Sequence, residues 1–506
     1  MVYISEKLRS LIKKIDKLLL KVNFPMLAVI LVILIGAMTL FIKPIIGVAD
    51  NGDFFRIIGQ NDLHYLNNNP ADENERFISY FQKDYGINQF YNNSQRLLVS
   101  TQSLLIRPAI FLSELVTGND KVFDIRFLAA ILLVLQAIAA YLLVKVFTND
   151  VKRPTLKLII TLLYIFIFMD TGYIAYFNSF YGEGVNIPFF LLSVGILLYM
   201  IKFNKFKWYN LLAFLLTSFI FFGAKQQLAP TGILLAILTW RIICYKNNKK
   251  SIKIILIMMI VIFVIGAVFF YKSIEGDFNF INRYHSLNRG ILLDEGDPDK
   301  ILEDMGINNQ YSLLENTIYF SDVSQIDLND KSLKEKYYDH FTILDILKYY
   351  AFHPKDMIKM AKIGFGNAYY IRPMVQGNYE KSAGKLPGEK SYFFSGWSLF
   401  KADILPHNLL ASIAYIGLFF FYSIKRYINA RNYDRDDDCL FEEAYLYIFL
   451  VGFSQIVISL VGAGDADLSK HELMYNMSWD MMFLYFVVNI IKKRDKKEVK
   501  NGITRC

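Results

Sequence analysis

Long apolar runs separated by basic clusters are the feature that most limits what this chain can fold into. The first run, residues 24–47, is about the length needed to cross the ~30 Å hydrocarbon core of a bilayer. The chain is 54% hydrophobic and only 20% charged, which is too apolar for a soluble globular protein. An all-α, polytopic membrane protein is therefore predicted, with about ten spans at 24–47, 127–147, 158–169, 185–201, 211–222, 230–244, 254–271, 404–424, 444–462 and 473–491.

The basic residues predict the direction in which these spans cross. Cytoplasmic loops carry an excess of Lys and Arg, and such residues precede the first run and recur after every second span. We therefore expect both termini in the cytoplasm. We attribute the net charge of +9 to the cytoplasmic loops and expect no nucleic-acid partner. No small-residue cleavage site follows the first run, so it is interpreted as an anchor. The basic residues ahead of it are Lys7, Arg9, Lys13, Lys14, Lys17 and Lys21.

Composition divides the chain into five parts. These are a cytoplasmic N-terminus (1–23), a transmembrane module (24–271) with a long first outer loop (48–125), an extracytoplasmic, mainly helical domain (272–403), C-terminal transmembrane helices (404–491) and a cytoplasmic tail (492–506). Within these parts we expect turns at 67–70 and 294–298, an interfacial helix at 103–111, and helices at 299–305 and 343–364, the last broken at His353–Pro354. Cys244, Cys439 and Cys506 fall on predicted cytoplasmic segments, so no disulfide framework is expected.

The stretch Val48–Arg56 directly follows the first span and so lies at the predicted outer surface. It places the carboxylates of Asp50 and Asp53 and the guanidinium of Arg56 at the membrane rim. Carboxylates there suit a substrate with a polar head and a tail in lipid. Asp, Asn and Gly are also turn residues, so a simple turn that ends the helix is the alternative.

Other unusual polar residues come from the outer ends of different spans, which can converge on one site. Each also has a structural interpretation. Lys225 can be a snorkelling lysine, and Glu183 can be a favourable charge at a helix N-terminus. Asp170 ends a helix, where a carboxylate opposes the dipole and needs a partner or a use. Few charges lie at mid-span, where a pump would need them. The full set is Asp50, Asp53, Arg56, Asp170, Glu183, Lys225, Asp465, Asp467, Lys470 and His471.

Several kinds of site are not predicted. The six histidines are spread over distant segments without metal-ligand spacing, which argues against a zinc site. The sequence has no Walker loop, no dinucleotide-binding glycine motif and no Gly-x-Ser-x-Gly elbow. No cofactor and no metal ligands are assigned, and the sequence leaves a divalent cation open.

The order of segments resembles the GT-C superfamily of integral-membrane glycosyltransferases: a cytoplasmic N-terminus, one span, a long first outer loop that opens with an acidic motif, six further spans and a large outer domain. Four short motifs resemble, more closely, bacterial glycan-biosynthesis hexosyltransferases of the WsfD type. They are Asp50–Arg56, Asn178–Glu183, Arg289–Leu292 with Asp297–Pro298, and Ser469–His471 ahead of Asp480. The resemblance implies a GT-C-like polytopic helical bundle in the bacterial cell membrane. It also implies that the protein takes a sugar from a polyprenyl-phosphate donor.

The same resemblance implies roles for the candidate residues. An acid at the start of the first outer loop is the base, with Asp53 our first choice and Asp50 our second. Arg56, Lys225, Lys470 and His471 face the charge of the leaving phosphate. Asp170 and Glu183 bind sugar hydroxyls or hold a cation in place. Tyr181 stacks on a sugar ring or is an interfacial aromatic.

The expected function is transfer of a sugar, a hexose by resemblance, to an extracytoplasmic glycan or lipid-linked acceptor. Membrane lipids surround the protein in this interpretation. A flippase or exporter of lipid-linked sugars is the alternative from another class, although internal repeats and helix breaks near mid-membrane would then be expected. A glycan polymerase would share the reaction and differ in its acceptor.

Overall fold

The computed structural model describes residues 14–66, 76–90, 99–246, 249–273, 276–293, 297–319, 330–373 and 375–500. The predicted turn at 67–70, most of the turn at 294–298 and Cys506 lie outside these residues. The chain is a helical membrane protein, as the apolar runs predict. Its apolar helices are Phe24–Leu40, Arg126–Thr148, Pro154–Phe168, Gly182–Phe203, Trp208–Gly223, Thr231–Tyr245, Lys250–Lys272, Leu409–Asn432, Asp436–Ala463 and Leu473–Lys500.

Each predicted span overlaps one of these helices, although the first helix ends at Leu40 and the prediction ran to Gly47. Fewer than ten of the helices are long and apolar enough to cross a membrane. Within the described residues, six helices meet that criterion, and a seventh does if Pro154–Phe168 and Thr171–Asn178, bent by 46°, form one span. Phe24–Leu40 and Trp208–Gly223 are apolar but shorter. Leu473–Lys500 is longer but more polar.

The helix Gly182–Phe203 is the centre of the bundle. Its apolar segment is 94% buried, whereas that of Leu409–Asn432 is only 17% buried and leaves most of its apolar surface for lipid. Gly195 allows the close approach of Arg126–Thr148, because a Cβ there would lie 3.3 Å from Leu142 Cβ. The first residues of this central helix therefore lie at the centre of one end of the bundle.

Shorter helices cover that end of the bundle. The helix Pro298–Asp304 confirms the prediction for 299–305, and Ile343–Phe352 followed by Pro354–Asn367 confirms the break at His353–Pro354. Proline cannot donate the backbone hydrogen bond that would continue a helix. The remaining short helices are Phe54–Gln60, Ser103–Thr117, Thr171–Ile174, Gly276–Ser286, Lys331–Lys336, Gly396–Asp403 and Leu468–His471.

The helix Ser103–Thr117 is longer than the sequence predicted and ends at Gly118, whose φ of 66° is left-handed. Leu104, Phe111 and Leu115 are exposed along it. Their spacing puts them on one helical face. An exposed apolar face of this kind suits the interfacial position that the sequence predicted.

A small antiparallel sheet in the first loop is the main feature that the sequence did not predict. Strand Asp84–Ile87 lies between Leu63–His64 and Val122–Asp124. Two or three residues per edge strand are too few to show an alternating pattern. The sheet folds the loop back on itself and thereby fixes its first residues near the bundle.

A buried ion pair joins the polar region 272–403 to the last helix. Lys401 Nζ lies 2.8 Å from Asp480 Oδ1, and both side chains are fully buried. Tyr173 and Trp397 donate to the other carboxylate oxygen of Asp480 at 2.5 and 3.0 Å. A buried charge needs such partners, so this network fixes the polar region against the bundle.

Candidate functional site

The first loop forms a turn around Asp50, as the structural alternative suggested. One carboxylate oxygen of Asp50 accepts from Gly52 N at 2.8 Å and from Phe54 N at 3.2 Å. Gly52 has a φ of 97°, a conformation that favours glycine. The hydroxyl of Tyr65 donates to the other oxygen. Burial raises the pKa of Asp50, although these hydrogen bonds oppose that shift.

Asp53, three residues further on, has a different environment. Lys470 Nζ lies 2.5 Å from its Oδ2, and Arg56 Nη2 lies 3.1 Å from its Oδ1. Burial alone would favour the protonated acid, but the charges of Lys470 and Arg56 lower the pKa of Asp53 well below its usual range. Its side chain is 34% exposed, so Asp53 is ionised and open to solvent while Asp50 is enclosed.

Lys470 is buried between two carboxylates. Its Nζ also lies 2.9 Å from Asp467 Oδ2 and 5.0 Å from the centre of the Tyr181 ring. Burial lowers the pKa of a lysine, but Asp53 and Asp467 outweigh it and raise the pKa of Lys470. Asp467 precedes the short helix Leu468–His471 with a left-handed φ of 49°, and this bend turns Lys470 toward the first loop.

A second ion pair lies beside the first. Lys225 Nζ is 2.6 Å from Glu183 Oε1 and 3.5 Å from His471 Nδ1. Gln227 Oε1 lies 3.1 Å from the same ring nitrogen, and Gln227 Nε2 donates to the His471 carbonyl at 3.1 Å. Burial, together with the charge of Lys225, lowers the pKa of His471 well below its usual value, so the ring is neutral.

We call these residues the ion-pair cluster: Asp53, Arg56, Glu183, Lys225, Asp467, Lys470 and His471. The structure thus brings together six of the nine residues predicted for the site, from four distant parts of the chain. Asp50 adjoins the cluster through the first loop. Their roles in a reaction stay predictions.

Tyr181 holds the loop rather than presenting a free ring. Its hydroxyl accepts from Asn51 N at 2.7 Å and from Gln376 Nε2 at 2.6 Å, and it donates to Ala49 O at 2.9 Å. Its ring packs edge-on against Phe54 at 4.6 Å. The buried ring leaves no open face for stacking on a sugar.

Asp170 lies outside the cluster. Its carboxylate accepts from Gly172 N at 2.7 Å, Trp397 N at 3.1 Å and Ser398 N at 2.9 Å. It therefore caps the starts of two helices, Thr171–Ile174 and Gly396–Asp403, where a negative charge is favourable. These backbone amides are the partners that a carboxylate at the end of a helix needs.

The loop that carries Lys470 is held from the polar region. Arg289 donates from Nε and Nη2 to the two oxygens of Asp465, each at 2.6 Å. Gly464 lies so close to Arg289 that a Cβ there would be 2.2 Å from the Arg289 carbonyl oxygen. Any residue other than glycine would push the loop away from this position.

Sequence reasoning missed two supporting residues, Tyr65 beside Asp50 and Gln227 beside His471. Gln227 follows Lys225 in a short loop, which was a usable signal, whereas nothing in the sequence pointed to Tyr65. Within the described residues, no group of three or more His, Cys, Asp or Glu side chains could hold a metal ion.

Comparison with known proteins adds the family. No curated protein and no solved structure matches the chain. One family model, described as the YfdI N-terminal transmembrane domain, matches residues 9–505. That description agrees with the apolar helices and names no reaction. With nearly its whole length matched, the chain belongs to the YfdI N-terminal transmembrane domain family.

Proposed function

We propose that the protein is a membrane glycosyltransferase. It transfers a sugar, a hexose by resemblance, from a polyprenyl-phosphate donor to an extracytoplasmic glycan or lipid-linked acceptor. The observation that carries the proposal is the ion-pair cluster, which holds cations and carboxylates side by side at the ends of apolar helices. This combination suits a substrate with a phosphate at the membrane surface and a hydroxyl to be deprotonated.

The lysines of the cluster are assigned to the donor phosphate. In the structure Lys470 is neutralised by Asp53 and Lys225 by Glu183. An incoming phosphate would compete with those carboxylates for the same ammonium groups. Charged hydrogen bonds to a phosphate are among the stronger polar contacts in proteins. Fixed cations also stabilise the charge that develops on the leaving phosphate.

Donor binding would also activate the base. While Lys470 pairs with Asp53, the carboxylate is a weak base because its pKa is lowered. When Lys470 turns to the phosphate, Asp53 loses part of that positive field and its proton affinity rises. The base then becomes effective only when the donor is in place, which limits loss of the sugar to water.

The proposed transfer is a single displacement with inversion. The acceptor oxygen forms a bond to the sugar C1, and the C1–O bond to the phosphate breaks with its electron pair leaving on the phosphate. The acceptor proton passes to Asp53. Asp50 is the second candidate for the base: its pKa is raised, but it is enclosed and already accepts from Tyr65 and two backbone amides.

The test replaces each acid by its amide. In membranes supplied with labelled undecaprenyl-phosphate hexose, Asp53→Asn should reduce transfer by about a hundredfold or more, the size of a general-base contribution, while donor binding is kept. Asp299→Asn, an exposed acid on the helix Pro298–Asp304, is the matched control and should transfer normally. If Asp50→Asn loses transfer and Asp53→Asn keeps it, then Asp50 is the base and Asp53 is not. Full transfer by both Asp53→Asn and Asp50→Asn would refute the proposal.

A further inference from the structure

A polar cavity adjoins the first loop and has no role in the mechanism above. Its volume is about 410 Å³, and Tyr65, whose hydroxyl donates to Asp50, forms part of its wall. The strand Asp84–Ile87 and the residues before it form another part, and the turn at 380–382 closes a third side. The cavity is therefore built on the small sheet and lies next to a candidate base.

Two polar side chains on the cavity wall have no partner among the described residues. Glu380 and Gln82 line the cavity, are partly buried, and make no side-chain hydrogen bond or ion pair with any residue described. Both side chains are partly exposed, so their polar atoms can hydrogen-bond to water or to a ligand. Burial also raises the pKa of Glu380, with Lys83 as the main opposing charge. These two side chains are free to bond a ligand.

The charges around the cavity indicate the class of ligand. Arg76, Lys83 and Lys381 are basic, Asp84 and Glu380 are acidic, and Lys83 Nζ already lies 2.8 Å from Asp84 Oδ2. A phosphate would favour a wall of one sign, whereas hydroxyl groups both donate and accept and therefore suit a mixed wall. The volume lies within the range of small-molecule sites. A sugar unit fits both observations.

We propose that this cavity binds the terminal sugar of the acceptor. The inference rests on the proposed function and extends it: the donor enters beside Lys225 and Lys470, and the acceptor saccharide enters beside Tyr65. Glu380 and Gln82 hold its hydroxyls, and one further hydroxyl extends past Tyr65 toward the carboxylates of the first loop, which do not themselves line the cavity. That hydroxyl gives its proton to the base as its oxygen bonds to the donor C1 and the phosphate leaves.

The test blocks the cavity without changing the ion-pair cluster. In a chain whose three cysteines are replaced by serine, Gln82→Cys is modified with a bulky methanethiosulfonate reagent. Gln310→Cys, an exposed glutamine in the polar region, is the matched control. Two readouts are taken in membranes that hold the natural acceptor: sugar transferred from labelled undecaprenyl-phosphate hexose, and binding of undecaprenyl phosphate.

Modified Gln82→Cys should lose at least tenfold in transfer and keep its undecaprenyl-phosphate binding, whereas modified Gln310→Cys should keep both. Glu380→Ala removes a group with no internal bond and should reduce transfer from labelled undecaprenyl-phosphate hexose roughly two- to tenfold, the loss of one hydrogen bond, while undecaprenyl-phosphate binding is kept. Normal transfer by modified Gln82→Cys would overturn this inference alone. Absence of transfer by the wild-type chain in the same membranes would overturn the proposed function and this inference with it.

Discussion

Replacing Lys470 by methionine tests the assignment of the donor phosphate most directly. The substitution keeps the length of the side chain and removes its charge. Its two carboxylate partners, Asp53 and Asp467, are 34% and 39% exposed, so water can solvate them when the lysine is gone. We therefore expect the variant to fold and the loss to appear in donor binding.

The size of that loss follows from the contact that is removed. A hydrogen bond to a charged group contributes roughly 1.5–3 kcal/mol, and about 1.4 kcal/mol corresponds to tenfold in affinity. Lys470→Met should therefore bind undecaprenyl phosphate about tenfold to a hundredfold more weakly. Lys225→Met should lose affinity in the same range, but its partner Glu183 is only 5% exposed, so this variant should also lose stability because a buried carboxylate is left unpaired.

The assay is equilibrium binding of labelled undecaprenyl phosphate to the purified protein in lipid nanodiscs. Lys300→Met is the control, since it makes the same substitution at an exposed lysine on the helix Pro298–Asp304, outside the cluster. It should leave donor affinity unchanged. Wild-type affinity in Lys470→Met, or an equal loss in the control, would refute the assignment of Lys470 to phosphate.

Three further predictions follow from the geometry. The pH profile of kcat/KM reports the pKa of the base in the free enzyme. The midpoint of its acid limb should lie below 3.8, the ordinary pKa of an aspartate, if the base is Asp53, and above 3.8 if the base is Asp50. Gly464→Ala should cost about 1–3 kcal/mol of stability or weaken donor binding, because the φ of Gly464 is strained for other residues and the new Cβ would meet Arg289. Thermal unfolding and lipid binding measure the two effects, and wild-type values in both would contradict that reason. A cysteine at Gln310 should react with a membrane-impermeant thiol reagent in intact cells, and failure to react would contradict the predicted topology.

The sequence predicts well what depends on local pattern. Every apolar run became a helix, and the break at His353–Pro354 lies where the proline requires it. The approach of Asp53, Lys225 and Lys470 was also foreseeable, because residues at the ends of neighbouring spans on one side must lie in the same layer.

What depends on contacts between distant residues was not predictable. The sequence predicts that Asp170 lies at the outer end of a span, as the other candidate residues do. Its actual partners include the backbone amides of Trp397 and Ser398. The pairing of Lys470 with Asp53, and of Arg289 with Asp465, is likewise set by packing between elements far apart in the chain. No periodicity or local motif carries that information.

The span of chain between Asp53 and Lys470 bears on how the protein is made. Lys470 is synthesised 417 positions after Asp53, whereas Glu183 and Lys225 are only 42 positions apart. The second pair can therefore form early during membrane insertion, while the first waits for almost the last helix. A nascent or truncated chain that ends before Lys470 has the acid of the first loop without its lysine. Such a chain holds an incomplete ion-pair cluster. If the proposed function holds, the order of synthesis delays donor capture until the bundle is assembled.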